Sequence, residues 1–298
     1  MAKDSFQFRE FTIHQRLSAM KVGTDGVLLG AWSLAPTANP SGSSGYPGYP
    51  GYPGLSSDPS APASPVLSAA PSRILDIGTG TGLIALMLAQ RYPDSLITAI
   101  DISPEAVLEA RANVAASPFS ARIQVLESDI TTFTPSGSSG TSVPSGTPGY
   151  PGISGTPGKP GSLASSPLFT AIACNPPYFI DSLASPDARR TLARHTASLT
   201  YAQLIASCWR LLSPDGRLSL IIPADCRSRL EAEAHLRGFF LTRLCAVKTT
   251  PQKPPKRYLM EFRKQPTTEP DITEAVLETS PGERSPWYRR LTADFYIR

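Results

Sequence analysis

The sequence predicts an α/β fold with a mostly parallel sheet of seven strands and helices on both faces of that sheet. The main observation is that short apolar runs alternate with stretches of helical periodicity from Arg73 onward, which is typical of βαβ units. A second observation is that two low-complexity tracts, residues 36–72 and 135–166, interrupt this alternation without replacing any part of it. When the two tracts are set aside, the order of strands and helices is regular.

The predicted elements follow the chain in order. Phe6, Phe8, Phe11 and Ile13 alternate with polar residues, as in a half-buried strand, and an apolar helix begins near Val27. The predicted strands of the sheet are 73–77, 96–100, 122–126, 171–174, 217–222, 239–247 and a last, partly antiparallel strand at 256–262. The predicted helices among them are 83–91, 104–116, 199–212 and 227–236.

The low-complexity tracts are rich in glycine, proline and serine, and glycine occurs at every third position from Gly146 to Gly161. That spacing is the signature of collagen, but a run this short is too small to hold a triple helix unaided. The tracts are therefore predicted to be solvated, polyproline-like linkers. Each tract enters a predicted strand at its amino end, opposite the strand ends where α/β sheets bind ligands.

Composition limits the class of protein. The chain has 298 residues, 41% of them hydrophobic, and a net charge of +4, which favours a polyanionic partner only mildly. Its 4 cysteines lie far apart, with no C-x-x-C pair, so neither a disulfide framework nor a metal site is expected. The first residues lack an apolar h-region, and no apolar run is long enough to cross a membrane. We therefore expect a cytoplasmic protein without membrane contact or bound metal.

A glycine-rich turn, Asp76-Ile-Gly-Thr-Gly-Thr-Gly82, follows the first strand of the sheet and opens a helix. Glycines at such a turn let the backbone approach a ligand closely. The G-x-G-x-G spacing argues against a pyrophosphate-bearing dinucleotide, and the acid in the turn suits an ammonium group. Asp101 ends the second strand about 20 residues beyond the turn, where it is placed to bind ribose hydroxyls. A further acid, Asp129, follows the third strand.

The segment Asn175-Pro-Pro-Tyr178 comes directly after the apolar strand 171–174. Its prolines end the strand in a stiff, extended turn that presents an amide side chain, backbone carbonyls and an aromatic ring. A planar group that carries an NH2 suits such a site, because the oxygens accept its two hydrogens and the ring stacks on its face. Taken alone, four residues of this kind are equally consistent with a surface turn.

Together these motifs resemble those of class I S-adenosylmethionine-dependent methyltransferases, and Asn175-Pro-Pro-Tyr178 resembles their amino-methylating motif. Further blocks at residues 20–32, 185–195 and 254–258 resemble the bacterial tRNA1(Val) (adenine(37)-N6)-methyltransferase family. The resemblance covers nearly all of the chain outside the two tracts. It implies a Rossmann-like sheet, S-adenosyl-L-methionine as cofactor and tRNA as partner, with methylation of the N6 amine of an adenine, at position 37 of tRNA1(Val).

The resemblance also implies a division of the chain and a set of site residues. One methyltransferase domain, acting as a monomer, is expected over residues 1–298, with an N-terminal segment (1–35), a cofactor-binding half (73–134) and a substrate half (167–298) separated by the insertions. The expected catalytic residues are Asn175, Pro176, Pro177 and Tyr178. The expected cofactor-binding residues are Asp76, Gly78, Thr79, Gly80, Gly82, Asp101, Ile102, Asp129, Lys21, Gly23, Thr24 and Asp25. The candidate RNA contacts are basic residues around the same rim, each of which is also typical of a solvated face: Arg189, Arg190, Arg194, His195, Lys253, Lys256 and Arg257.

Three alternatives remain open at this point. The Asn175-Pro-Pro-Tyr178 geometry accepts any planar NH2, so a glutamine amide of a protein such as a release factor is the first alternative substrate. A second alternative is an RNA-binding module that keeps the fold without turnover. A third is that the low-complexity tracts are the functional part, as an interaction stalk.

Overall fold

A computed structural model of the protein describes residues 4–18, 21–33, 72–135, 168–176 and 199–297. Almost all of the two low-complexity tracts lies outside these residues, so their interpretation as solvated linkers stays a prediction. Within the described residues, the predicted alternation of strands and helices from residue 73 onward is confirmed.

The strands and helices are numbered here in chain order. The strands are β1 (Ser5–Gln7), β2 (Thr12–His14), β3 (Arg73–Ile77), β4 (Leu96–Asp101), β5 (Ile123–Glu127), β6 (Phe169–Cys174), β7 (Leu212–Pro223), β8 (Phe240–Lys248), β9 (Pro255–Arg263), β10 (Asp271–Val276), β11 (Glu278–Ser280) and β12 (Glu283–Arg284). The helices are α1 (Thr24–Trp32), α2 (Leu83–Arg91), α3 (Pro104–Ala115), α4 (Tyr201–Leu211), α5 (Arg227–Arg237) and α6 (Pro286–Leu291). The predicted boundaries agree closely except in β7, which begins at Leu212 and therefore ahead of the strand predicted at 217–222.

Eight strands of the described residues form the main sheet, in the spatial order β10-β8-β9-β7-β6-β3-β4-β5. β9 runs antiparallel to both of its neighbours, and the other neighbouring pairs are parallel. The prediction of seven strands was wrong by one, because β10 was missed. β10 lies at the edge of the sheet, and most of its residues are exposed or half-buried. It therefore lacks the apolar run by which the other strands were predicted.

The N-terminal segment forms a hairpin instead of the single strand that its alternating pattern predicted. β1 and β2 pair antiparallel with Phe6 opposite Ile13, and between them the Phe8 amide donates to the Phe11 carbonyl at 2.8 Å. Phe8, Phe11 and Ile13 are buried, while Phe6 is half exposed. The alternating pattern thus indicated the burial of these three side chains. It did not indicate the reversal of the chain, because residues 8–11 contain no glycine or proline.

Helices cover both faces of the main sheet. α1, α2 and α3 pack with Ile74 of β3 in one core, and α4 and α5 pack with Leu75 of the same strand in the other core. Successive residues of β3 thus face opposite helical layers. This two-sided burial explains why the neighbouring residues Ile74 and Leu75 are both apolar, instead of alternating with polar residues.

The C-terminal residues close the first of these cores. Phe295 is fully buried, and its carbonyl accepts a hydrogen bond from the Arg9 amide at 2.7 Å. The ring of Tyr296 stacks on Phe8 with 5.8 Å between the ring centroids, and its hydroxyl lies 2.9 Å from that of Tyr288. The tail of the chain therefore holds the N-terminal hairpin on the body of the protein.

This docking predicts that Phe295→Ala lowers the free energy of unfolding by about 3–5 kcal/mol, because a fully buried ring is removed from a packed core. Ile297→Ala is the matched control, since that side chain is 57% exposed; we expect a change within about 0.5 kcal/mol. Urea denaturation followed by tryptophan fluorescence measures both variants. Equal losses in the two variants would contradict the docking of the tail.

Candidate active site

The parallel registers bring the expected cofactor and acceptor residues to one edge of the sheet. Ile77, the last residue of β3, is paired with the residue before Asp101 in β4 and with the residue before Asn175 in β6. Ile77 itself directly precedes Gly78. Because neighbouring strands lie about 4.8 Å apart, the glycine turn begins between the acid expected at the ribose and the amide expected at the acceptor.

The glycine turn has a backbone that requires glycine. Gly78 and Gly80 have φ angles of +69° and +55°, in the left-handed region that disfavours side chains. The amides of Gly78 and Thr79 both donate to the Ile100 carbonyl, at 2.9 and 3.0 Å, and the Gly80 amide donates to the Asp101 carboxylate at 2.8 Å. Since these amides already have acceptors inside the protein, the turn fits a cofactor without phosphate groups at this position.

Asp101 ties together three segments at the edge of the sheet. Its Oδ2 accepts from the Gly80 amide at 2.8 Å, its Oδ1 from the Ser103 amide at 3.0 Å, and its carbonyl from the Ser128 amide at 2.9 Å. Each carboxylate oxygen keeps capacity for a further donor, which suits a pair of hydroxyls. The neighbouring Ile102 is 65% exposed and offers an apolar surface beside that carboxylate.

Asp76 is a fully buried carboxyl group beneath the glycine turn. Its Oδ2 accepts from the Thr79 hydroxyl at 2.7 Å and from the Ala85 amide at 3.2 Å. Its Oδ1 has no hydrogen-bond partner among the described residues. Burial raises the pKa of Asp76 to about 7, the charge of Asp101 adds to this rise, and the two hydrogen bonds oppose it.

Asp129 lies just beyond β5, at the same edge. The end of β5 is paired with Asp101, and Asp129 follows two residues later. Its Oδ1 accepts from both the amide and the hydroxyl of Thr131, each at 2.8 Å, and its carbonyl accepts from the Phe133 amide at 2.8 Å. The side chain thus shapes the turn that borders the site on the β5 side.

The acceptor motif is described in part. Asn175 is half-buried and Pro176 is buried. Pro177 and Tyr178 lie outside the described residues, and so do four of the candidate RNA contacts: Arg189, Arg190, Arg194 and His195. Their expected roles stay predictions.

The N-terminal residues expected at the cofactor have specific partners. The Lys21 ammonium donates to the Gln15 carbonyl, and Gly23 and Thr24 begin helix α1. Asp25 pairs with Arg257, whose Nε lies 2.6 Å from Oδ2, and the two side chains are only 17% and 22% exposed. The sequence predicts Asp25 as a cofactor residue and Arg257 as an RNA contact. In the structure the two side chains form an ion pair, so the guanidinium of Arg257 binds the N-terminal segment.

Two other candidate RNA contacts lie on the same side of the sheet. β8 and β7 are both antiparallel to β9, so the turn that follows β8 is at the carboxyl edge of the sheet, as the glycine turn is. Lys253 in this turn and Lys256 just after it are exposed. Both therefore lie on the edge that carries the site.

Two buried polar residues of α3 were missed by the sequence interpretation. Glu109 accepts hydrogen bonds from backbone amides of residues 16–18, and Asn113 bonds to His14 and to the carbonyl of Thr81 in the glycine turn. One signal could have indicated them. Both residues occupy positions of the helical stripe that otherwise faces the core, where an acid and an amide require partners.

The residues at this edge fit a cofactor that carries an ammonium group and ribose hydroxyls. Asp76 has one carboxylate oxygen without a partner among the described residues, and Asp101 retains acceptor capacity. Among the described residues other than the two chain neighbours of Gly78, no heavy atom lies within 4 Å of the position that a Cβ on Gly78 would take. The donor and acceptor set therefore agrees with the methionine and ribose parts of S-adenosyl-L-methionine.

Comparison with known proteins indicates the class of protein to which this chain belongs. Residues 74–143 match the family described as "Methyltransferase domain". A crystal structure from Agrobacterium tumefaciens, described as a predicted O-methyltransferase, has a TM-score of 0.55 over 91% of this chain and 96% of its own, at 17% identity. At that identity the likeness concerns the fold alone. The fold and the edge site define a methyltransferase of class I architecture.

Curated relatives specify the family within this class. A protein of Porphyromonas gingivalis named tRNA1(Val) (adenine(37)-N6)-methyltransferase is 39% identical over 299 residues, covering 99% of this chain and 96% of its own. A protein of Parabacteroides distasonis with the same name is 34% identical and covers 100% of both chains. The chain belongs to the tRNA1(Val) (adenine(37)-N6)-methyltransferase family. Its methyl donor is S-adenosyl-L-methionine.

The described part of the chain contains neither a membrane-spanning helix nor a cluster of metal ligands. None of its helices is long and apolar enough to cross a membrane. The same residues contain no group of three or more histidine, cysteine, aspartate or glutamate side chains that could hold a metal ion.

We propose that Asp76 binds the ammonium of the cofactor, which pairs only with the ionised carboxylate. The raised pKa of Asp76 then predicts pH-dependent binding of the product S-adenosylhomocysteine. Because protonation competes with binding as the pH falls through about 7, we expect the dissociation constant to rise about tenfold per pH unit below that value. Calorimetric titration between pH 8 and 5.5 measures this slope.

Two controls isolate the carboxyl group in this experiment. Methylthioadenosine lacks the ammonium, so its affinity should not follow the same slope. Asp76→Asn should bind S-adenosylhomocysteine more weakly but without the pH dependence. If wild-type affinity does not change over this pH range, Asp76 does not pair with the ammonium.

Proposed function

We propose that this protein transfers the methyl group of S-adenosyl-L-methionine to the N6 amine of an adenine in tRNA, and that its target is position 37 of tRNA1(Val). The observation that supports this proposal best is the register of β6 with β3, which sets Asn175 beside the glycine turn in a chain of this family. The enzyme acts in the cytoplasm as a monomer, with one methyltransferase domain into which the two low-complexity tracts are inserted.

The cofactor contacts in this proposal come from the edge of the sheet. S-adenosyl-L-methionine supplies an electrophilic methyl group on a sulfonium sulfur. Asp76 attracts its ammonium through the free Oδ1, and Asp101 accepts from the ribose hydroxyls. Ile102 and Asp129 border the adenine ring, and residues 21–25 close over the cofactor. Two observations on the described residues support this: they provide no hydrogen-bond partner for Oδ1 of Asp76, and they leave open the space where a Cβ on Gly78 would lie.

The acceptor contacts address the weak nucleophilicity of adenine N6, whose lone pair is delocalised into the ring. The Asn175 side-chain oxygen and the Pro176 carbonyl accept the two hydrogens of N6 and favour a pyramidal nitrogen as positive charge develops there. The Tyr178 ring stacks on the base and holds it in line with the methyl group. No strong base is required before transfer, because the proton on the cationic nitrogen is acidic and leaves to solvent.

The target base must leave its stack to reach Asn175, which costs less in an RNA loop than in a duplex. Lys253 and Lys256 are exposed on the same edge of the sheet. They are proposed to contact phosphates that flank the flipped base. Arg257 instead supports the site through its ion pair with Asp25.

Asn175→Ala is predicted to lower the rate of methyl transfer by about a hundredfold or more, because one of two acceptors for the N6 hydrogens is lost. Binding of S-adenosylhomocysteine should change less than twofold. Asp101→Ala serves as the reciprocal control and should weaken cofactor binding. The assay uses unmodified tRNA1(Val) transcript, with nucleoside mass spectrometry to detect N6-methyladenosine.

The same assay separates the alternatives. A transcript with guanine at position 37 should not be methylated, and a release factor offered in place of tRNA should accept no methyl group. Methylation of the release factor instead of the tRNA would overturn the proposed substrate. Cofactor binding without transfer to either would favour a non-catalytic RNA-binding module.

The double variant Lys253→Ala/Lys256→Ala is predicted to raise KM for tRNA severalfold and to reduce the slope of log affinity against log salt by about one to two units, since about one counterion is released per phosphate contact. Filter binding at several salt concentrations measures the slope. Arg237→Ala is the control, because Arg237 is exposed at the end of α5, which leads back to the opposite edge. An equal effect in both variants would remove the two lysines from the RNA surface.

A further inference from the structure

We infer that Glu109 is a positioning residue for cofactor binding, because it holds the N-terminal strap, residues 14–18, against the glycine turn. This inference rests on the proposed placement of S-adenosyl-L-methionine at that turn. Glu109 lies on α3 and belongs to neither the glycine motif nor the acceptor motif.

The strap and Glu109 form a concentrated set of hydrogen bonds. The amides of Arg16 and Leu17 donate to Oε1 of Glu109, the latter at 2.8 Å, and the amide of Ser18 donates to Oε2 at 2.8 Å. The Glu109 carboxylate is buried, with 4% exposure. Three successive backbone amides thus donate to one buried carboxylate, and such charge-assisted hydrogen bonds are strong. They determine the path of the strap backbone and not merely its contact with the body.

Asn113, one helical turn beyond Glu109, connects the strap to the glycine turn itself. Its Oδ1 accepts from the His14 amide at 2.8 Å, and its Nδ2 donates to the His14 carbonyl at 2.8 Å and to the Thr81 carbonyl at 2.9 Å. Asn113 is fully buried. A single side chain therefore binds the start of the strap and the backbone of the glycine turn, so the two segments share one support.

The far end of the strap reaches the glycine turn directly. The Ser18 hydroxyl lies 3.7 Å from the position that a Cβ on Gly80 would take. Beyond the strap, the Val22 amide donates to Oε1 of Gln15 at 2.7 Å, which folds the chain back toward the start of α1. The strap therefore lies beside the glycine turn, and it precedes residues 21–25, which are proposed to close over the cofactor.

The chemistry of the contact favours a positioning role over simple attachment. Burying a carboxylate has a desolvation cost that apolar contacts avoid, and the preceding hairpin is already attached through buried Phe8 and Phe11. If the strap is docked only part of the time, the apparent affinity for the cofactor is the full affinity multiplied by the docked fraction. Glu109 therefore acts on affinity by keeping the strap docked before the cofactor arrives.

The test compares Glu109→Gln with Glu105→Gln, the same substitution at an exposed position one turn earlier on α3. Glu109→Gln replaces one carboxylate oxygen with an NH2 group, which cannot accept a hydrogen bond from the backbone amides of the strap. We expect the dissociation constant for S-adenosylhomocysteine to rise about tenfold or more, with kcat at saturating cofactor and tRNA within about twofold. The control should change neither value. A folded Glu109→Gln variant with unchanged affinity would overturn the inference.

Hydrogen exchange on the wild-type protein provides a second measurement that does not depend on the folding of a variant. Addition of S-adenosylhomocysteine should slow exchange at the amides of residues 16–18 as well as at 78–82. Slowing at 78–82 alone would overturn the role of the strap and leave the proposed cofactor site standing. If neither segment responds, the placement of the cofactor at the glycine turn is itself wrong.

Discussion

The parallel register of β3 with β4 and β6 is the constraint on which the site depends. Residues of β3 alternate between two cores, with Ile74 facing one helical layer and Leu75 the other. A slip of one residue would move every one of these side chains to the opposite layer. The packing of both cores therefore determines which residues come first beyond the strand ends, and this places Asp101 and Asn175 on either side of the glycine turn.

The electrostatics of this edge distinguish it from phosphate sites that share a strand, a glycine turn and a helix. The amides of Gly78, Thr79 and Gly80 bond to acceptors inside the protein, so few remain to bind an anion. Two acids, Asp76 and Asp101, lie at the turn, and the pKa of Asp76 shows that its burial disfavours the charged form. A bound ammonium would offset that cost. The site is therefore suited to a cationic cofactor, as a sulfonium donor is.

Both ends of the chain stabilise the same region. The C-terminal Phe295 and Tyr296 hold the N-terminal hairpin from outside, while α3 holds the strap that follows the hairpin. Further along, Asp25 is held by Arg257 from the start of β9. These contacts connect the N-terminal segment to three distant parts of the fold. We therefore expect cofactor binding to depend on the packing of the chain ends, because the strap lies between the N-terminal hairpin and the glycine turn.

Local sequence patterns determined much of this protein. Apolar periodicity predicted the strands and helices from Arg73 onward. The glycine spacing and the acid at the end of the second strand predicted the glycine turn and the position of Asp101. The exposed edge strand β10 and the unmarked hairpin reversal were missed, since neither alters those patterns. Only the tertiary structure decided that Glu109 binds an amide 91 residues away and that Asp25 pairs with Arg257, 232 residues away. The physical reason is that a buried charge needs a partner, but its own neighbours in sequence do not specify which distant group the fold will bring to it.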